Sequence, residues 1–175
     1  MRKLSVLVIS GAVGAGKTSA ANAISEILSE QSIPNAVIDL DNLRSSFPRP
    51  ADDPHHMALG YKNLASVWQN YKEVGVTHVI IPSVIEERSD RDSIAAAIPE
   101  ADIQIVRLKT PVAILHERLK NRETGISLNW HLERAVELEK QLERDRIEDF
   151  VVDTENKSIK AVAEEILWEA KWLPI

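Results

Sequence analysis

Five short apolar runs alternate with longer stretches in which apolar residues return every three or four positions, and this alternation predicts the layout of the chain. Leu4-Ser-Val-Leu-Val-Ile-Ser10 is apolar almost throughout, the pattern of a strand buried on both faces of a parallel sheet. Further strands are predicted over residues 36–40, 77–82, 101–108 and 150–153, with Pro82 halting the third of the five. Residues 36–40 form a short run that suits a sheet edge. Helical spacing fills the intervals. Residues 19–30 carry Ala23, Ile24, Ile27 and Leu28 on one face, and residues 57–73 carry Leu59, Leu64, Val67, Trp68 and Tyr71. Residues 88–97 and 112–122 predict helices, 127–146 a charged helix or helix pair, and 158–172 a closing amphipathic helix. Residues 47–54 hold three prolines and predict a loop.

Strands alternating with helices over the whole length imply an α/β fold with right-handed crossovers, in which ligands bind at the carboxyl ends of the strands. The segments 11–18, 39–44 and 82–91, each following one of the first three strands, are therefore expected at one edge of the sheet. At 175 residues the chain has room for one domain with a full core, expected to span 1–175. The formal net charge of −6 argues against long DNA or RNA as a partner. Absence of cysteine excludes disulfides, thiolate metal sites and a cysteine nucleophile. No apolar run is long enough to span a bilayer, so no membrane partner is expected, and a cytoplasmic protein is the default.

Chemistry concentrates after the first strand. Gly11-Ala12-Val13-Gly14-Ala15-Gly16-Lys17-Thr18 has the spacing of a P-loop, or Walker A motif, whose glycines let backbone N–H groups turn inward around nucleotide phosphates. Lys17 would reach the β- and γ-phosphates of ATP, the Thr18 hydroxyl would ligate Mg2+, and Ser19 would complete the phosphate-facing turn. A second motif, Asp39-Leu-Asp41-Asn42-Leu-Arg44, follows the second strand. Phosphoryl transfer to a hydroxyl needs a carboxylate to orient the attacking O–H and accept its proton, and cations to offset charge on the phosphoryl oxygens. Asp41 and Arg44 supply that pair about one helical turn apart. Asp41 is also a good cap for a helix over Asn-Leu-Arg, and the two roles are compatible.

With these motifs the chain resembles the P-loop small-molecule kinases related to nucleoside-monophosphate kinases, along essentially its whole length. Asp39-x-Asp41-Asn42-Leu-Arg44 is similar to the D-x-D-N-[VI]-R of adenylylsulfate kinases, and Asp41-x-x-Arg44 to the D-x-x-R of polynucleotide-kinase-like and antibiotic-phosphotransferase enzymes. The resemblance implies a three-layer P-loop NTPase fold with a five-stranded parallel sheet of order 2-3-1-4-5, Asp41 as base, and Arg44 holding the acceptor. Arg118-Leu-Lys-Asn-Arg122 resembles the R-x3-R of the lid in these kinases, which implies a lid region of about 115–146 with Arg118 and Arg122 closing over the transferred group. Val152-Asp153-Thr154 is similar to the family's adenine-side loop, and Arg88 and Arg91 are candidates to bind an anionic acceptor. The implied activity is ATP-dependent phosphorylation of a small hydroxyl-bearing substrate.

The departures concern the acceptor. Ile80-Ile-Pro82-Ser-Val84 has valine where the adenylylsulfate kinases' I-S-P-[FY]-R has arginine, which speaks against adenylylsulfate as the acceptor. The family's F-S-x-x-D-R-x-E-N segment is replaced by the proline-rich loop and His55-His56, residues whose adjacency points them apart and favours structural or solvent roles over metal binding. No acid ends the third strand in the Walker-B position, which leaves Asp39 or Asp41 to support Mg2+ through water. The acceptor pocket is expected between Arg44, the 47–54 loop and the helix carrying Tyr61 and Trp68. Two other activities share these motifs: a 5′-hydroxyl polynucleotide kinase, which calls for a basic groove, and a regulatory ATPase, which turns over ATP without an acceptor.

Overall fold

The computed structural model describes residues 4–48, 51–53 and 55–173. Its elements are β1 (Ser5–Gly11), α1 (Lys17–Glu30), β2 (Asn35–Val37), α2 (Leu40–Leu43), α3 (Met57–Glu73), β3 (His78–Pro82), α4 (Arg88–Ala97), β4 (Asp102–Lys109), α5 (Val112–Arg122), α6 (Ile126–Asp145), β5 (Phe150–Asp153) and α7 (Ile159–Glu169). The strands form one parallel sheet in the order β2-β3-β1-β4-β5, with β2 at an edge as expected. In register, Leu7 of the central β1 lies between Ile80 of β3 and Gln104 of β4.

The apolar run of β1 is explained by burial on both faces. Leu7 and Ile9 join a core with α1, α5, α6 and α7, while Val6 and Val8 join a second core with α3 and α4. Helices therefore cover both sides of the sheet in three layers. No helix among the described residues is long and apolar enough to cross a membrane.

Two boundaries differ from the pattern for physical reasons. The second strand stops at Val37 because Asp39 caps α2, so Leu40 opens a helix instead of ending a strand. The last helix stops at Glu169, short of the predicted Trp172. Lys171 takes a left-handed φ of 58°, and the N–H of Trp172 turns back to the Leu167 carbonyl at 3.0 Å. This is a Schellman end, and it tucks the Trp172 ring into the core beside His78. Residues 127–146, read as a helix or a pair, form one helix.

Among the described residues, one guanidinium is buried in this frame. Arg107 of β4, 1% exposed, donates to Glu139 at 2.7 Å and Glu143 at 2.8 Å on α6, with Glu148 at 3.6 Å. The network ties the charged α6 to the sheet, which a solvated helix face would not do. Replacing Arg107 with leucine leaves the Glu139 and Glu148 carboxylates enclosed without a cation and is expected to cost about 3–5 kcal/mol. A urea titration of Arg107→Leu checks this through a lowered midpoint at unchanged slope.

Candidate functional site

The loop between β1 and α1 requires its glycines. Gly11 has φ of 145°, and a Cβ there would lie 2.9 Å from the Leu108 carbonyl oxygen. Gly16, which precedes α1, has φ of 95°, a left-handed conformation that glycine adopts without strain. The turn presents the first N–H groups of α1 to the space above the sheet, the arrangement that binds phosphate. Val13 to Ser19 line a cavity of about 1640 Å³ at the carboxyl ends of the strands. Gly11 and Ala12 do not line it. Their carbonyls instead accept the Lys17 ammonium, at 3.0 and 3.1 Å, and hold it beneath the loop. Burial pulls the Lys17 ammonium down to about 8, against the favourable fields of Asp41 and Asp39, while Arg122 adds to the fall.

Asp39 and Asp41 divide the work that the sequence left shared. Asp39 is the cap of α2. Its Oδ1 accepts from the N–H groups of Asp41 at 3.0 Å and Asn42 at 3.3 Å, while its Oδ2 accepts from the Thr18 hydroxyl at 3.4 Å. Asp41 is therefore not needed as a cap. It lines the cavity and forms an ion pair with Arg44, which lines it too. The oxygen set of Thr18 and Asp39, next to a phosphate-binding turn, suits a hard cation such as Mg2+, which is usually held by few protein groups and several waters. At the end of β3 there is no acid. Ser10 fixes that turn by accepting from the Ile85 N–H at 3.0 Å.

Arg118 of α5 crosses to the P-loop, with Nη1 3.3 Å from the Ala15 carbonyl and 3.4 Å from that of Gly14. Arg122, one turn on, lines the cavity and pairs with Glu123, which also takes the His131 ring. The Arg122 hydrogen bond holds the Glu123 carboxyl below the ordinary carboxylate range. Behind them, the Thr110 and Thr154 hydroxyls bond at 2.6 Å, and Thr154 and Lys157 complete the wall on the β5 side, where the adenine-side loop was expected.

Several candidates lie elsewhere. Arg88 does not line the cavity, and Arg91 is committed to Asp149 at 2.6 Å. Trp68 is packed in the core under α3, although Tyr61 of the same helix does face the cavity. Of the 47–54 loop, Phe47 is 94% exposed and outside the cavity, and residues 49, 50 and 54 lie outside the described ones. His55 is exposed, whereas His56 is buried and lies 2.7 Å from the Arg44 carbonyl through its Nδ1. Two polar pairs had no sequence signal. Tyr61 donates to Asp90 at 2.9 Å; burial first, and then Asp90, raise its phenol above the ordinary range. Arg134 of α6 grips Glu86 through two bonds of 2.7 and 2.6 Å.

A family model described as adenylylsulphate kinase matches residues 3–123, which is most of the chain and includes the P-loop, Asp41, Arg44, Arg118 and Arg122. The chain belongs to the adenylylsulphate kinase family. It is 24% identical over 174 residues to a probable adenylyl-sulfate kinase of Bacillus subtilis (strain 168), spanning 94% of this chain and 83% of that protein. Among solved structures it is similar to the tunicamycin resistance protein of Deinococcus radiodurans, with TM-score 0.67, 18% identity and 95% of each chain covered. It is also similar to the APS kinase CysC of Mycobacterium tuberculosis, solved with AMPPNP and APS, with TM-score 0.64, 20% identity and coverage of 99% and 100%. At these identities the structural likenesses speak for a shared P-loop kinase fold. Membership of the adenylylsulphate kinase family makes the protein an ATP-dependent kinase of a small-molecule acceptor.

Proposed function

We propose that this kinase moves the γ-phosphoryl group of ATP to a hydroxyl of its acceptor, with the P-loop as donor site and the Asp41–Arg44 pair as acceptor site. One observation carries this reading: a single cavity is lined both by Val13 to Ser19 and by Asp41 and Arg44. At about 1640 Å³ it exceeds the roughly 300–1,000 Å³ of an ordinary ligand site, and suits two substrates side by side.

In this mechanism the turn before α1 holds the phosphates and Lys17 moves up from its carbonyl contacts to the β- and γ-oxygens. Thr18, with Asp39 behind it, would hold Mg2+, which would neutralise charge on the phosphate oxygens. Asp41 orients the acceptor O–H and takes its proton as the new O–P bond forms and the bond from the γ-phosphorus to the β,γ-bridging oxygen breaks, releasing ADP. Arg44 donates hydrogen bonds to the acceptor. Arg118 and Arg122, on the 115–146 lid, cover the transferred group and exclude water that would hydrolyse ATP.

The experiment is an ADP-release screen of the wild type against hydroxyl-bearing metabolites, with product phosphorylation confirmed by mass spectrometry. Acceptor-dependent ADP release with a phosphorylated product is the expected result. Rapid ADP release that no acceptor stimulates would instead support a regulatory ATPase.

A further inference from the structure

The charges of the cavity are sorted by side. Among the described lining residues, the P-loop with α1, α5 and the segment after β5 contribute the cations Lys17, Arg118, Arg122 and Lys157 and no carboxylate. Among the lining residues that follow β2 and β3 and those on α6 the sign reverses. Asp41, Glu86, Glu87, Asp90 and Glu137 line the acceptor part against two guanidiniums, Arg44 and Arg134.

Both of those guanidiniums already have carboxylate partners. Arg44 pairs with Asp41. Arg134 is held by both oxygens of Glu86 and approached by Glu137 at 3.5 Å, and the Glu86 bond raises its pKa further. Both bonds to Glu86 come from one guanidinium nitrogen, a short charge-assisted contact, and an incoming anion would have to displace that carboxylate. It would also meet the carboxylates of Glu87 and Asp90, which cap α4 and face no cation across those bonds, and like charges placed together cost several kcal/mol in recognition.

The hydrogen-bonding capacity left over has the same sense. His56 is 3% exposed and lines the acceptor part, and its Nδ1 faces a carbonyl, so that nitrogen carries the proton. Its Nε2 is then an acceptor in the neutral ring, and it has no partner among the described residues. Nε2 is itself enclosed, so a donor from a ligand, hydroxyl or ammonium, reaches it only if its surroundings move.

Building on the phosphotransfer reading, we infer that the phosphoryl acceptor is an uncharged or cationic polyol, of the sugar, aminosugar or nucleoside class, and not an anion such as adenylylsulfate. Valine at position 84 agrees with this, because it adds an apolar wall where a cation would be needed for an anionic group.

The test uses the full chain with saturating magnesium–AMPPNP, so that the P-loop cations are occupied. Inorganic sulfate and adenylylsulfate are then titrated by calorimetry into the wild type and Glu86→Gln. Neither anion is expected to bind the wild type at millimolar concentration. Glu86→Gln releases Arg134 and is expected to gain sulfate affinity by roughly tenfold or more, the size of one charge-assisted hydrogen bond. In parallel, kcat/KM is compared between glucose or glucosamine and gluconate, and between adenosine and adenylylsulfate. The uncharged or cationic member is expected to lead by at least roughly tenfold. Binding of either anion to the nucleotide-loaded wild type, or preference for an anionic acceptor, overturns the inference. Failure of every acceptor to be phosphorylated counts against phosphotransfer itself, while the anion titrations still decide the charge question.

Discussion

Asp41→Asn is expected to keep ATP affinity close to that of the wild type and to lower turnover by roughly 10²-fold or more. Asparagine has the shape of aspartate and can still accept from Arg44, so the ion pair is weakened without emptying the space. The cap of α2 is untouched because Asp39 supplies it, and the P-loop is untouched because Asp39 also holds Thr18. What disappears is the basic oxygen that takes the acceptor proton. The loss therefore belongs in kcat, at both saturating and limiting acceptor. Calorimetric titration of AMPPNP beside single-turnover product formation separates the two effects. Full turnover by Asp41→Asn would remove this residue from the role of base.

Lys17→Met is expected to abolish nucleotide-induced thermal stabilisation and turnover together, while its ligand-free form melts no lower than the wild type. The lysine sits under the loop with its ammonium drawn down to about 8, mainly by burial. A fall from the ordinary 10.5 corresponds to about 3 kcal/mol carried by the folded apoprotein at neutral pH, set against the two bonds to the Gly11 and Ala12 carbonyls. The sign follows from proton counting. Between pH 8 and 10.5 the unfolded chain binds more protons at this lysine than the folded one, so its contribution to stability rises with pH across that window. Phosphate next to the ammonium restores the charged form. Nucleotide binding near pH 8 should then take up roughly half a proton, and affinity should fall as pH rises beyond it. Calorimetry in buffers of different ionisation enthalpy measures the uptake. A ligand-free Lys17→Met that melts well below the wild type would show that the ammonium stabilises the apo loop instead.

Most of the architecture was legible because it rests on local patterns. The strand runs are apolar on both faces and the helices repeat at 3.6 residues, so α3, α4 and α5 fall where the spacing places them. The P-loop is a contiguous motif, and Val13 to Ser19 line the cavity at the carboxyl ends of the strands, although Gly11 and Ala12 stay outside it and hold the Lys17 ammonium through their carbonyls. Assigning roles within Asp39-x-Asp41 was harder, since either carboxylate can cap a short helix and only the backbone direction after Val37 selects Asp39. The illegible part is long-range. Glu86 and Arg134 are 48 residues apart on different elements, and nothing in either neighbourhood announces the other. Arg91 looked available to an anion, but the sheet brings Asp149 beside it from 58 residues away. Trp68 and Tyr61 lie on the same helix and both pack against the core, and only the tertiary structure tells that Trp68 is enclosed there while Tyr61 also lines the cavity.

The two oxygens of Asp39 point in different directions, one to the backbone of α2 and the other to the hydroxyl at the start of α1. The two motifs that we propose as the ends of the phosphoryl path are therefore not set by separate loops. A single carboxylate spans them as a ruler, and its length fixes how far Asp41 stands from the group that Thr18 would hold.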